Sequence, residues 1–264
     1  MNTVAANSVP NAARNATRGP YQGVMQILQF NWRMYLATLA ALFAAAGVWP
    51  MAPAAMRIAL VAVLVPAAFW MIASIAVSHY VYDCFPLYDL HWLARALAHE
   101  PRRWINVHAG WDETTGLLAN LFPDAVGEAV DIFDPAVMTE PSIRRARRLD
   151  HGAVPATSAR FDALPFESGT VDTVFVIFAA HELRRAAQRE QFFREVARVL
   201  TPGGEVMVME HARDAWNFLA FGPVFLHFFP RRAWRQAARQ AGLDVRTERG
   251  MTRFVHAFLL RRAR

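Results

Sequence analysis

Polar residues follow three apolar segments of the chain whose pattern predicts buried strands. Asp131 lies near the end of the first segment, residues 127–133. His181 follows the nearly continuous apolar run of residues 171–178, and His211 follows the run of residues 206–209. Open α/β sheets bind their ligands beside the carboxyl ends of their parallel strands. These three side chains are therefore the first candidates for a functional site.

A carboxylate and an imidazole have different uses at such a sheet edge. In nucleoside-binding sheets a carboxylate at the end of the second strand accepts hydrogen bonds from the ribose hydroxyls, and Asp131 has that place. Asp134 competes for this role or serves as a helix N-cap. His181, next to Glu182, is a candidate general base or substrate hydrogen-bonding group, or it only caps the strand and packs in the loop. His211 is a second candidate for the same catalytic role.

The elements that must position these residues alternate between strand and helix. Apolar runs predict the strands and amphipathic segments between them predict helices, which is the order of an α/β domain. We expect helices over residues 115–122, 142–148, 188–200 and 231–241. We expect strands near residues 104–107, 127–133, 171–178 and 206–209, with a closing antiparallel pair at 243–245 and 254–260.

Composition limits the class of protein and its partners. The chain has 264 residues, enough for one domain and an appendage, and its apolar fraction of 55% is high for a soluble protein. A single cysteine, Cys84, excludes an internal disulfide framework. The net charge of +6 comes mostly from arginines and suits an anionic surface such as phospholipid headgroups. No nucleic-acid partner is expected, because arginines on helix faces are usually solvated. The histidines lack ligand-type spacing, so no metal site is predicted.

The apolar excess lies in the first eighty residues. No charge occurs from Met34 to Met56, and Ser74 is the only polar side chain between Ile58 and Val77. The second run has the length needed to cross a hydrocarbon core of roughly 30 Å. Prolines at positions 50 and 53 suit a tight connection between two helices. The sequence therefore predicts a transmembrane hairpin, although a buried hairpin of a soluble protein, or one that dips into a single leaflet, has the same pattern.

The arginines near the hairpin indicate its orientation. Three precede the first span and three follow the second, whereas one lies in the loop between them. The positive-inside rule then places both termini and the α/β domain in the cytoplasm, with the hairpin in the cytoplasmic (inner) membrane. These residues are Arg14, Arg18, Arg33, Arg95, Arg102 and Arg103 outside the spans, and Arg57 in the loop.

The chain divides into four parts on these patterns. Residues 1–24 begin with a stretch rich in asparagine and alanine and poor in large apolar side chains, which predicts a mobile tail. Residues 25–79 form the hairpin, residues 80–101 a connecting lead-in helix, and residues 102–264 the α/β domain.

Four segments, in order along the chain, resemble the class I S-adenosylmethionine-dependent methyltransferases, especially the branch with quinone and small-molecule methyltransferases. They are Ala163-Leu-Pro-Phe-Glu-Ser-Gly-Thr-Val-Asp172, Ile177-Phe-Ala-Ala-His-Glu-Leu183, Arg198-Val-Leu-Thr-Pro-Gly-Gly204, and the stretch from Phe229 to Asp244. The resemblance covers roughly Tyr82 to the C terminus. It implies a Rossmann-like domain, with a mostly parallel seven-stranded sheet flanked by helices, that uses S-adenosylmethionine as its cofactor.

The first glycine loop departs from the family pattern. The family usually has an acidic residue in the first strand, followed by a Gly-x-Gly-x-Gly turn that lets the backbone approach the cofactor closely. Here Asn106 stands where the acid is expected, His108 and Asp112 replace two glycines, and only Gly110 remains. By resemblance these four residues line the cofactor site, and Asp112 or the adjacent Glu113 takes over the pairing with the cofactor's ammonium group.

Two further cofactor contacts follow from the resemblance. The family often has an acid four residues before the leucine of Leu-Pro-Phe, which binds the adenine amino group. Arg160 occupies that position and cannot accept a hydrogen bond, so Asp162 is the candidate instead. The aromatic lead-in segment resembles a helix that folds over the cofactor, which makes Tyr82 and Tyr88 candidates to close the site. The alternative is an interfacial helix whose tyrosines lie at the level of the headgroups.

The run from Trp216 to Phe229 is unusually apolar for a segment beyond the fifth strand. Family members commonly build the acceptor pocket there, and the hairpin favours an acceptor dissolved in the bilayer. We therefore expect a membrane-anchored methyltransferase that acts on a lipophilic small molecule: a quinone, a phenolic isoprenoid or another lipid. The alternatives are that this run merely packs against the hairpin, and that the protein is a degenerate methyltransferase-like assembly factor. The sequence does not predict the oligomeric state.

Overall fold

A computed structural model describes residue 9 and residues 18–149 and 154–262. The chain forms two compact units. The sheet unit comprises residues 86–213 and 227–262 with residue 9, and the apolar unit comprises residues 18–85 and 214–226. Most of the predicted mobile tail, residues 1–8 and 10–17, lies outside the described residues.

The sheet unit contains one seven-stranded sheet in the order β3-β2-β1-β4-β5-β7-β6. Strands β1 to β5 are parallel to their neighbours, and β7 is antiparallel to both β5 and β6. This confirms the predicted Rossmann-like, mostly parallel sheet. The strands are β1 Arg103–His108, β2 Val126–Asp131, β3 Ala156–Ser158, β4 Val171–Ile177, β5 Leu200–His211, β6 Leu243–Gly250 and β7 Val255–Arg262.

Helices numbered along the chain flank this sheet. Those of the sheet unit are α3 His91–Ala96, α4 Thr115–Leu121, α5 Pro141–Leu149, α6 Ala186–Val199 and α8 Arg231–Gln240. The strand order reverses between β1 and β4, which is where open α/β sheets form a crevice at their carboxyl edge. Strands β1, β2, β4 and β5 end at this edge, so the loops that follow them begin there.

Strand β5 begins earlier than expected. The Thr-Pro-Gly-Gly stretch predicts a turn before residue 206, yet the strand runs from Leu200. Gly203 has a φ of +84°, and the register of β4 against β5 shifts between Val171 and Thr173. The glycines therefore form an irregularity inside the strand instead of a turn before it.

A tryptophan packs where β1 crosses its neighbour β2. Trp104 is fully buried and lies opposite Gly127, and a methyl group on Gly127 would overlap its indole ring. We expect Gly127→Ala to destabilise the sheet unit by about 1–3 kcal/mol, because a close-packed core does not absorb an added carbon freely. Thermal unfolding of the full-length protein measures this. Gly47→Ala is the matched control, since a Cβ at Gly47 meets nothing within 4 Å. Equal melting temperatures for both variants would contradict the packing argument.

The apolar unit consists of two long helices and a short third one. Helix α1 spans Gln22–Val48, a 3-10 turn covers Trp49–Met51, α2 spans Ala54–His79, and a π-helical turn follows at Tyr80–Cys84. Helix α7, Ala215–Phe221, continues into a 3-10 turn at Gly222–His227. Both long helices are long and apolar enough to cross a membrane, and only 11% and 6% of their most apolar windows are buried. Core helices of soluble proteins are mostly buried, so this exposure distinguishes the pair from them.

Polar contacts connect the ends and the middle of the two long helices. The Asp83 carboxylate accepts the backbone N–H groups of Gly23 (2.6 Å) and Val24 (3.0 Å), so it caps the first turn of α1. Near mid-helix, the hydroxyl groups of Tyr35 and Ser74 are 3.2 Å apart. These contacts fix the two helices as a hairpin, as predicted.

The predicted apolar run beyond β5 packs against α2. Phe218 contacts Trp70 edge to face at 5.4 Å between ring centroids, and the Trp70 ring also fills the space beside Gly222. Several large side chains of the run nevertheless stay exposed: Trp216, Phe218, Leu219, Val224 and Leu226. The segment thus joins the apolar unit and extends its exposed apolar surface.

Candidate functional site

The end of β1 and the loop after it hold two buried oxygen atoms that accept no hydrogen bond within the described chain. The Asn106 amide nitrogen donates to the hydroxyls of Thr114 (2.9 Å) and Thr115 (2.8 Å), and its Oδ1 is left without a donor. One Asp112 oxygen accepts the N–H groups of Thr114 and Thr115, both at 3.0 Å, at the start of α4. Its other oxygen, Oδ2, is buried and has no partner among the described residues.

His108 adds a donor to this loop. Its Nδ1 accepts the backbone N–H of Gly110 at 3.2 Å, so the neutral ring carries its proton on Nε2. That nitrogen is buried and has no partner in the described part of the chain. Buried polar atoms are normally satisfied. Two free acceptors and one free donor complement the ammonium and carboxylate groups of an amino acid.

Asp131 lies at the end of β2, where the sequence predicts it, and is engaged by an arginine. Its Oδ1 accepts the N–H of Phe133 (2.9 Å), and its Oδ2 accepts a hydrogen bond from Arg147 of α5 at 2.7 Å. The Arg147 guanidinium also lies 4.2 Å from the centre of the Phe133 ring. Gly110 has a φ of +109°, and a Cβ there would overlap the Arg147 side chain. Arg147 therefore joins the glycine loop to the carboxylate.

His181 follows β4 and is held by carboxylates on two sides. Its backbone N–H and its Nδ1 contact the two oxygens of Glu210 at 3.1 Å and 2.9 Å, and its Nε2 lies 3.5 Å from Glu182. Burial alone lowers the pKa of His181, but Glu210 and Glu182 outweigh it and raise the pKa to about 10. The ring is then a cation at neutral pH, which suits a hydrogen-bond donor better than a general base.

His227 is a residue of this cluster that the sequence analysis missed. Its ring meets that of His181 edge to face at 5.2 Å, and Arg184 donates to the backbone oxygens of His181 (3.1 Å) and His227 (2.6 Å). Burial and the neighbouring charge of His181 lower the pKa of His227 to about 3. Glu210 was missed as well, although a carboxylate inside an otherwise apolar strand is itself a signal.

Comparison with known proteins identifies the sheet unit. The profile of a family described as methyltransferase domain matches residues 109–208. That range holds Gly110 and Asp112 of the glycine loop, together with Asp131 and His181. Together with the fold, this match supports a class I S-adenosylmethionine-dependent methyltransferase domain in this part of the chain. The predicted cofactor, S-adenosylmethionine, is the one that such domains use.

Curated relatives share part of this methyltransferase domain. The demethylmenaquinone methyltransferase of Thermus thermophilus is 30% identical over 147 residues, which covers 54% of this chain and 63% of that protein. The ubiquinone/menaquinone biosynthesis C-methyltransferase UbiE of Nitrosospira multiformis is 35% identical over 101 residues, or 38% of this chain and 40% of that protein. The chain thus matches less than two thirds of the length of these relatives.

Solved structures show the same fold. The pyocyanin biosynthetic protein PhzM superimposes with a TM-score of 0.52 and 15% identity over 91% of this chain and 73% of that one. A chain from the complex of the Haloferax volcanii Trm112 methyltransferase activator with a putative methyltransferase has a TM-score of 0.50 and 18% identity, over 74% of this chain and 98% of that one. At these identities the likeness concerns the fold alone.

The methyltransferase domain fits the cofactor at its methionine end in spite of the altered glycine loop. The orphaned oxygens of Asn106 and Asp112 can accept from the cofactor's ammonium group, and His108 Nε2 can donate to its carboxylate. Asp131 is the residue predicted to bind the ribose. The structure brings the predicted residues 106, 108, 110 and 112 together at the end of β1 and in the loop after it, next to Asp131.

Arg147 occupies the Asp131 oxygen that the predicted ribose contact needs. We expect Arg147→Ala to tighten the binding of S-adenosylmethionine roughly tenfold, because about 1.4 kcal/mol of carboxylate–guanidinium contact no longer has to be broken. Isothermal titration calorimetry measures the change. Arg148→Ala is the control, since Arg148 is exposed on the same helix. Unchanged or weaker binding in Arg147→Ala would show that Arg147 contributes to the site instead of competing for it.

The predicted adenine contact has a different environment. Arg160 donates two hydrogen bonds of 2.8 Å to the Asp162 carboxylate, and this contact lowers the pKa of Asp162. Asp162 is therefore already paired with the arginine that replaces the family's acid. Asp134, the alternative to Asp131, accepts the N–H of Ala136 at 2.8 Å and stabilises a local turn.

The remaining predicted residues lie as follows. Tyr82 belongs to the π-helical turn of the apolar unit, where its Cβ lies beside Gly23, and its predicted role over the cofactor stays a prediction. Tyr88 donates to Glu113 at 3.2 Å, so the lead-in segment does contact the loop after β1.

His211 Nδ1 lies 3.0 Å from the Phe254 carbonyl, and its ring stacks on Phe228. These contacts are typical of a packed side chain, and none of them supports the predicted catalytic role of His211.

Proposed function

We propose that this protein is a membrane-anchored methyltransferase that transfers the methyl group of S-adenosylmethionine to a lipophilic acceptor, such as a quinone, a phenolic isoprenoid or another lipid. One observation carries the proposal. The chain leaves the sheet unit just after β5, runs through the exposed apolar segment of residues 214–226, and returns at His227. The chain therefore passes directly from the carboxyl end of β5, an edge where such sheets bind ligands, into an apolar segment.

Methyl transfer from S-adenosylmethionine requires little acid–base catalysis by the protein. The bound cofactor supplies an already electrophilic methyl group on its sulfonium, so the protein must mainly align the acceptor with it. Asn106, Asp112 and His108 orient the amino acid end. Asp131 holds the ribose once Arg147 has moved aside.

The cluster around His181 serves the acceptor in this proposal. A positive charge there, held by Glu210 and Glu182, stabilises the negative charge that an acceptor hydroxyl develops as it loses its proton. The two curated relatives are named for demethylmenaquinone and for ubiquinone and menaquinone biosynthesis, which supports an acceptor of the quinone class.

The test uses the full-length protein in detergent with radiolabelled S-adenosylmethionine. We expect label in a long-chain prenylated quinol and in its short-chain analogue. The triple substitution Trp216→Ser, Leu219→Ser and Leu226→Ser changes exposed side chains of the apolar segment. It is expected to lower kcat/KM for the long-chain acceptor at least tenfold and to leave the short-chain value nearly unchanged. Cofactor binding without transfer to either acceptor would instead favour the assembly-factor alternative.

The membrane topology is a separate part of the proposal. Met51 lies in the turn between the two long helices and is 81% exposed. Replacing the single cysteine by Cys84→Ser and introducing Met51→Cys gives one labelling site at that turn. If the hairpin spans the membrane with both termini in the cytoplasm, an impermeant maleimide labels intact spheroplasts at this position. Labelling only after lysis would place the turn on the cytoplasmic side, as in a hairpin that dips into one leaflet.

A further inference from the structure

Three side chains at the carboxyl edge of β4 and β5 converge in the manner of metal ligands. One ligand atom from each of His181, Glu182 and His227 lies within 4.8 Å of the others. His181 Nε2 and a Glu182 oxygen are 3.5 Å apart. Two ligands of a tetrahedral zinc ion, each bound at about 2.1 Å, are separated by about 3.4 Å. The His181–Glu182 pair already has this separation, and the other separations, within 4.8 Å, would shorten on binding.

A second observation points independently to a cation at this place. The Glu182 side chain is only 8% exposed, and its Oε2 has no hydrogen-bond partner in the described part of the chain. A buried carboxylate oxygen without a donor costs free energy unless a cation or donor satisfies it.

The surroundings orient the ligands as the outer shell of a metal site does. Glu210 contacts His181 Nδ1 at 2.9 Å, which leaves Nε2 for the cluster. A carboxylate behind a metal-binding histidine fixes the ring and raises its basicity. Arg184 donates to the backbone oxygens of both histidines and so joins the two loops that carry them.

Carboxylates and guanidiniums both surround the cluster. Glu182 and Glu210 contact His181, and Glu140 lies 4.0 Å from His227 Nδ1. The nearby arginines donate to backbone carbonyls: Arg184 to those of His181 and His227, Arg189 to that of Leu183, and Arg213 to that of Phe228. None of these contacts satisfies Glu182 Oε2. Zinc binding would replace the proton on His181 Nε2, because a metal-binding imidazole nitrogen must be deprotonated.

We propose that His181, Glu182 and His227 bind a zinc ion, with Glu210 as the carboxylate that orients His181. Two histidines and one glutamate are a ligand set of catalytic zinc sites, in which water or substrate takes the fourth position. An oxygen of the acceptor is the expected occupant of that position. The inference stands on the cluster itself and requires neither methyl transfer nor membrane insertion. It departs from the sequence-based expectation of no metal, because His227 is distant from His181 along the chain.

The test measures metal binding directly. Full-length protein in detergent is stripped with a chelator and titrated with zinc chloride by calorimetry, and with cobalt chloride by visible absorption. We expect one zinc ion per chain and the intense visible bands of four-coordinate cobalt. His227→Ala is expected to weaken zinc binding at least 100-fold, and Glu210→Gln by about 10–100-fold.

Controls separate this site from other ligands in the chain. Cys84 Sγ lies 3.4 Å from His79 Nε2, so Cys84→Ser removes a competing thiolate. His99→Ala removes an exposed histidine. Both variants are expected to bind zinc as the wild type does. Circular dichroism checks that each variant is folded. Absence of stoichiometric zinc binding by the wild type, loss of binding in Cys84→Ser, or retained affinity in folded His227→Ala would each overturn the proposal.

Discussion

Asp131→Ala is expected to weaken the binding of S-adenosylmethionine and S-adenosylhomocysteine by about 10- to 20-fold. Each ribose hydroxyl donates a hydrogen bond to a charged acceptor, and such a bond contributes about 1.5 kcal/mol or more. Two of them amount to about 3 kcal/mol, from which the about 1.4 kcal/mol of Arg147 contact that wild-type binding breaks is subtracted. The remaining ~1.6 kcal/mol corresponds to about 15-fold, because a factor of ten in affinity is about 1.4 kcal/mol. Calorimetry on the full-length protein in detergent gives both dissociation constants.

Asp134→Ala is the matched control for this substitution. Asp134 lies three residues after Asp131, and its carboxylate accepts a local backbone N–H at 2.8 Å. We expect its removal to change cofactor affinity less than threefold, since its contact stabilises a turn. If Asp134→Ala caused the large loss and Asp131→Ala the small one, the ribose assignment would be wrong.

Because Arg147 contacts Asp131, the effects of Arg147→Ala and Asp131→Ala on cofactor affinity are expected to be non-additive. In the wild type the cofactor must displace a guanidinium that is 2.7 Å from the carboxylate. Once Asp131 is removed, Arg147 has no carboxylate to leave, so Arg147→Ala should no longer tighten binding. A double-mutant cycle measures this coupling as the difference between the effect of Arg147→Ala with and without Asp131. Full additivity would show that Arg147 does not compete with the ribose for this carboxylate.

The sequence predicts the sheet well where burial leaves a continuous apolar run. Strands β1, β2 and β4 are predicted from such runs, because a parallel strand covered on both faces carries few polar residues. Strand β3, Ala156–Ser158, is missed because three residues without large apolar side chains give no period. The early start of β5 is missed because proline and glycines usually indicate a turn, whereas here the strand pairs with β4 at Leu200 and again from Glu205, on either side of them.

The residues of the candidate site also fall into two groups. A local sequence pattern reveals some of them, whereas others meet only through the folding of the chain. Asp131 and the loop from Asn106 to Asp112 are found because each follows a recognisable strand. Arg147 is not found, since nothing in an arginine-rich helix distinguishes the one side chain that reaches back to Asp131. His227 is missed for a related reason. It contacts His181 only through the folding of a long segment beyond β5.

Replacing two exposed side chains of α2 by arginine is expected to prevent stable membrane insertion. Val65 and Ile72 are 60% and 64% exposed and lie seven residues apart, so they share one face of the helix. An arginine near the centre of a membrane-spanning helix costs about 2.5–3.5 kcal/mol on insertion scales. The double substitution Val65→Arg and Ile72→Arg therefore opposes insertion by about 5–7 kcal/mol, enough to reverse the partition of the hairpin. Alkaline carbonate extraction and vesicle flotation measure the membrane-bound fraction.

Met51→Arg separates a membrane effect from a general effect of added charge. Met51 lies in the turn between α1 and α2 and is more exposed than either substituted residue of α2. A spanning or dipping hairpin tolerates charge at its turn only if the turn leaves the hydrocarbon. We therefore expect Met51→Arg to stay in the membrane fraction if the hairpin spans, and to be extracted along with the double variant if the turn stops inside the bilayer. A soluble hairpin predicts a third pattern. Because the side chains of residues 65 and 72 are already exposed, arginines there would leave a soluble protein in the supernatant with an unchanged melting temperature.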